Sequence, residues 1–90
     1  MQVVKNEFEF IDYISNNEKF LNCKIVIEKF SSGAHMIDIW VRDFMLVIQI
    51  YQGKLGASKI QKDFAEFSSN PDIIFTNYQE LINFLEKEIC

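Results

Sequence analysis

Ninety residues, with a 49% hydrophobic and 14% aromatic share, supply the core of one domain, and a single Pro with three Gly excludes a disordered or low-complexity chain. The formal charge of −4 and a pI near 4.8 disfavour direct binding to a phosphate backbone. The eight lysines and the lone Arg42 are scattered, with no basic patch to override that balance. An acidic chain of this kind suits a basic protein partner.

Two cysteines, Cys23 and Cys90, are too few and too far apart to make a secreted disulfide framework. The first residues carry neither a basic start nor a continuous apolar run, so no secretory signal is expected. The longest uncharged run, Phe44 to Gly53, falls well short of the roughly 20 residues a membrane helix needs. These features make a cytoplasmic location, away from membranes, the expectation.

Asn6-Glu7-Phe8-Glu9 reads as a capping box, and Phe8, Ile11 and Ile14 behind it recur at helical spacing, predicting a helix over about 7–16. From Lys24 the pattern changes to β-branched runs. Lys24 to Phe30 is followed by Ser31-Ser32-Gly33, a three-residue hairpin loop with glycine where a left-handed conformation is needed. That loop pairs Ile25 with Ile39 and Ile27 with Ile37, and on the other face Lys24 with Trp40, Val26 with Asp38 and Glu28 with Met36. Slipping by one residue would mix the faces.

A turn at Arg42-Asp43 leads into a third strand, 44–51, with Ile48 against Ile37 and Leu46 against Ile39. Gln52-Gly53 then turns the chain into a fourth. All three hairpins agree on one apolar layer: Ile25, Ile27, Ile37, Ile39, Leu46, Ile48, Ile50, Leu55 and Ala57. Residues 61–71 read as a loop carrying Phe64 and Phe67, and 72–75 as a short edge strand. Thr76-Asn77-Tyr78-Gln79 reads as a second capping box, opening a helix with Leu81, Ile82, Leu85 and Ile89 on one stripe. The expected fold is α+β: a single domain with an antiparallel meander of four to five strands, flanked by an N-terminal and a C-terminal helix packed on one face.

Chemistry-bearing patterns are sparse. His35 has no second histidine at metal-ligand spacing, and beside a hairpin turn a solvated surface position is expected for it. The carboxylates show no acid/base clustering, Gly53 and Gly56 precede no phosphate-binding Lys-Ser/Thr, and the Ser31-Ser32-Gly33 turn is no nucleophile elbow. The expectation is a protein that is not an enzyme and uses no cofactor or metal, although a hydrolase built on His35 and a nearby acid stays open.

The second sheet face would carry Val26, Met36, Asp38, Trp40, Met45, Val47, Gln49 and Tyr51, a mixture fitting neither a core nor a wetted surface. One reading is cover by the Phe64/Phe67 loop; the other is a protein-docking surface, for which Trp, Tyr and Met beside carboxylates are suited. The candidate contacts are Trp40, Met45 and Tyr51, with Asp38, Asp43, Asp63, Glu66 and Asp72 steering a basic partner.

From Ile25 to Leu85 the chain resembles small immunity proteins of polymorphic-toxin and contact-dependent growth inhibition systems. The likeness rests on "IVIEKFSSGAHMIDIWVRDFMLVIQIYQGKLGASKI", an acidic-aromatic loop and "IIFTNYQELINFL", within them the Phe-x-Ser-Gly-Ala hairpin, the Gly-Ala-Ser-Lys-Ile strand and the capped helix. The resemblance implies a non-catalytic protein that binds a cognate bacterial toxin, commonly a nuclease with a basic cleft, and covers its active site. The alternative is a homo-oligomeric structural or regulatory module with the Trp40/Met45 face buried against its own copy.

Overall fold

The computed structural model of the protein describes residues 4–61 and 72–89. Helix α1 (Glu7–Asn16) leads through a single 3-10 turn (Glu18–Phe20) into strands β1 (Lys24–Lys29), β2 (His35–Trp40), β3 (Phe44–Tyr51), β4 (Lys54–Gln61) and β5 (Ile73–Phe75), and helix α2 (Tyr78–Ile89) follows. The strands form one antiparallel sheet in sequence order, so the α+β meander with two flanking helices is the observed architecture.

The turns explain the register. The Phe30 amide donates to the Ala34 carbonyl at 2.9 Å and the Gly33 amide to the Phe30 carbonyl at 2.9 Å, with Gly33 at φ +94. This three-residue loop fixes Ile25 opposite Ile39 and Ile27 opposite Ile37. At the second hairpin the Val41 amide donates to the Phe44 carbonyl, and neither Arg42 nor Asp43 takes a positive φ, so this turn is not of the primed kind. Gln52 (φ 49) and Gly53 (φ 76) are both left-handed, as a type I′ turn requires.

Phe10 and Ile14 of α1, Phe20 of the 3-10 turn and Leu81, Ile82 and Leu85 of α2 close over Ile37, Ile39, Leu46, Ile48, Ile50, Leu55 and Ala57. The layer thins toward β1: Ile25 is half-buried and Ile27 is 39% exposed, because α2 packs chiefly over β4 and β5 and leaves the far edge uncapped. Aromatic pairs tie the layers, with Phe10 against Tyr78 at 5.9 Å and Phe75 against Phe84 at 5.5 Å.

Two local expectations need correction. The second helix is capped one residue later than the spacing suggested. Asn77 Oδ1 accepts the Glu80 amide at 2.9 Å, and the Glu80 carboxylate reaches back to the Thr76 amide and hydroxyl. An anionic Glu answers a reciprocal cap better than Gln79. The 3-10 turn was not anticipated; its three residues carry no period, yet it buries Phe20 edge-on to Tyr13. The loop expected over 61–71 lies outside the described residues from 62 onward.

The helices are pinned to each other by polar groups. The Tyr13 hydroxyl donates to Glu86 Oε1 at 2.5 Å, and Lys19 Nζ stands 3.2 Å from Glu86 Oε2. Burial first, then the hydrogen bond and charge of Glu86, push the Tyr13 phenol up to about 12. The same hydroxyl, followed by Lys19, holds the Glu86 carboxyl below its ordinary range.

A folded-state pKa raised above the unfolded value contributes stability that is full below the unfolded value and is lost as pH rises through the folded one. The phenol's share is therefore complete below about pH 10 and disappears toward 12. The lowered Glu86 contributes above the ordinary carboxylate range and loses its share as pH falls. Tyr13→Phe should cost about 1 kcal/mol in urea melts near neutrality and remove the latest-titrating phenol from an ultraviolet pH titration. The turns make a paired prediction. Gly33→Ala, which meets no neighbour but must hold its left-handed backbone, should lose about 1 kcal/mol, whereas Gln52→Asn should gain a few tenths. Shifts in urea midpoint at constant slope would measure both.

Candidate interaction face

The sheet has two sides because successive residues of a strand point oppositely. The side away from the helices carries Val26, Met36, Asp38, Trp40, Met45, Val47, Gln49 and Tyr51, as the pairings Val26 with Asp38, Asp38 with Val47, Met36 with Gln49 and Trp40 with Met45 require. Trp40 is 39% and Tyr51 40% exposed, so the tryptophan is not sealed into the helix-covered core.

This side is not uniformly open. Met45 and Val47 are buried, as is Ser58, whose hydroxyl accepts the Asp72 amide at 3.1 Å. Met45, expected as a contact residue, is therefore corrected to a support: it lies opposite Trp40 on one side and Ile60 on the other and is out of reach of a partner. Asp43 is exposed at the β2–β3 turn beside Trp40, and Asp72 is exposed before β5. Asp63 and Glu66 lie outside the described residues. Thus Trp40 and Asp43 fall toward one end of the face and Tyr51 toward the other, with Asp38 between them.

Asp38 is the chemically unusual member. It sits on the central line of the face between Val26 and Val47, and its Oδ1 oxygen is buried with no hydrogen-bond partner among the described residues. Burial raises its pKa, and the nearby charge of Glu28 raises it further. That one oxygen has lost water without gaining a donor, an arrangement that is unfavourable to the free fold.

Two residues before Asp38 on β2 the same side holds a groove of about 230 Å³ between Phe30, Met36, Gln49 and Tyr51, largely apolar in lining. Phe30 and Gln49 were not among the expected contacts. The pairings of the first two hairpins would have found them, since Phe30 continues the even-numbered series of β1 and Gln49 faces Met36.

His35 is a correction. It is 5% exposed, on the helix side of β2, with its ring edge-on to Phe8 at 6.2 Å and Nδ1 without a hydrogen-bond partner among the described residues. The loop beside it is solvated, but α1 crosses over the strand at this point. His35 and Asp38 differ in parity on one strand and face opposite sides of the sheet, so they cannot form an acid/base pair. Cys23 is half-buried and free, and burial pushes its thiol up, away from reactivity. Among the described residues no three His, Cys, Asp or Glu side chains gather to hold a metal ion, and no helix is long and apolar enough to cross a membrane.

No family model, no curated protein and no solved structure matches this chain.

Asp38→Asn should raise the melting temperature of the free protein near pH 7, because it removes a charge that burial disfavours. Because the folded-state pKa of Asp38 is raised, its contribution to stability is full below the ordinary Asp pKa and is lost as pH rises through the raised value. Melting temperatures measured across that window should show a fall with rising pH that Asp38→Asn lacks.

Proposed function

We propose that this protein is an immunity protein: a non-catalytic cytoplasmic binder that neutralises a cognate bacterial toxin domain, with a basic nuclease the best fit, by seating its open sheet face over the toxin's active site. The observation that carries the reading is Asp38, a carboxylate with a buried, unpartnered oxygen on an accessible face beside the half-exposed Trp40. An arginine or lysine from a basic partner would supply the missing donor, and the aromatic ring beside it would supply anchoring area. The negative net charge would steer such a partner in. The resemblance to toxin-immunity proteins points the same way.

A homo-oligomer joined through this same face is the poorer fit. Two copies seated face to face would bring two Asp38 carboxylates toward a shared axis, adding like-charge repulsion to an existing desolvation cost.

The test is co-expression with the product of the adjacent toxin-like gene, followed by pull-down and growth rescue. The wild-type protein should bind and rescue. Trp40→Ala and Asp38→Asn should each weaken binding by about tenfold or more, the scale of an interface hot spot, while the circular dichroism spectrum stays unchanged. Binding at full strength by both variants would reject this face, and absence of both binding and rescue by the wild type would reject the immunity reading.

A further inference from the structure

Among the described residues the first strand has one neighbour. β1 pairs with β2 and forms one edge of the sheet. Phe30 and Ala34 are joined by a backbone hydrogen bond, and in an antiparallel pair the bonded positions alternate. Counting back along the register, Glu28, Val26 and Lys24 bond to β2, so the backbone groups of Ile25, Ile27 and Lys29 point outward at the open edge. The Val41 amide bond to Phe44 confirms the count from the other side, because it assigns the odd residues of β2 to β3 and leaves the even ones for β1.

An edge offering free donors and acceptors is a template for another strand. The sequence along this one is self-complementary in one register. We infer that β1 is a self-association edge, at which two copies pair their β1 strands antiparallel about a two-fold axis through Val26 to make one continuous ten-stranded sheet.

Residues opposite each other in a sheet must share a face, so a two-fold axis perpendicular to the sheet has to pass through a residue. Through Val26, Ile25 meets Ile27 of the other copy twice on the helix side, and Lys24 meets Glu28 twice on the other side. The outward-pointing backbone of Ile25 and Ile27 then makes the inter-copy hydrogen bonds, as the alternation demands. An axis through Ile27 would place Lys29 against Ile25 and Glu28 against Val26. One through Ile25 would place Lys24 against Val26. Neither forms a charge pair.

Two further observations fit the Val26 axis. Ile27 is 39% exposed on a side otherwise covered by helices, and the pairing would cover it. Lys24 and Glu28 are both exposed, and among the described residues neither enters an ion pair. The edge is only six residues long, so the contact is smaller than a standard stable interface and the association is weak. The faces bearing Asp38 and Trp40 stay open in the pair, lying side by side on one surface.

Sedimentation velocity on the whole chain at up to about 0.5 mM, a range chosen for a small interface, tests the register by charge reversal. Wild type should show a concentration-dependent dimer. Lys24→Glu alone and Glu28→Lys alone each turn two attractive pairs into two repulsive ones and should weaken the dimer by about tenfold. Lys24→Glu with Glu28→Lys in one chain should restore it, as should mixing the two single variants, since both arrangements set Glu against Lys at each position. The far-ultraviolet circular dichroism spectrum checks that each variant is folded. A monomer at every concentration, or a dimer indifferent to both reversals, overturns the inference. Loss of the dimer in Trp40→Ala with indifference to charge would instead assign self-association to the face and equally overturn it.

Discussion

The three-residue loop closed by Gly33 governs what the other parts of this molecule can do. Its two hydrogen bonds decide which residues of β1 and β2 are partners, and pleating then assigns every side chain from Lys24 to Ile60 to one side or the other. Isoleucines and leucines go beneath the helices, and the tryptophan, the half-buried Asp38 carboxylate and the apolar groove go to the opposite side. The outward-pointing backbone of β1 is set by the same count. A loop one residue shorter or longer would set the isoleucines of β1 on the side of Trp40 and Asp38 and so mix the two faces.

Asp38 shows how function and stability separate in a small domain. A valine there would suit its neighbours Val26 and Val47 and satisfy the strand. Aspartate instead places a desolvated charge at the centre of a sheet face, in a chain whose stability margin is narrow by size alone. Keeping such a charge makes physical sense when another molecule completes its hydrogen bonding, which is why the residue weighs more than the surrounding aromatic area.

Much of the fold was legible in the sequence because the hydrophobic pattern and the turn chemistry agreed. The apolar period of two, the Gly33 loop and the Gln52-Gly53 turn independently demand the same register, and the pairings match it residue for residue. What escaped the reading depended on distant cover. His35 is buried because α1 lies across it, and Met45 because of what packs around the strand, and neither fact is written in adjacent residues. The 3-10 turn is too short to carry a period. The candidate site was legible as a face but not as a ranking within it, because burial of one carboxylate oxygen is a property of assembled neighbours.

The pin between Tyr13 and Glu86 joins residues 73 apart, whereas the hairpins β1–β2, β2–β3 and β3–β4 each close over a few. Loop entropy therefore weighs on helix docking far more than on the strands, which can find each other before the two ends of the chain meet. Undocking of the helices would take the roof off the layer of isoleucines, which the local hairpin pairings do not cover. The two helices therefore shield the most apolar surface of the sheet, and their docking is what keeps that surface from other chains.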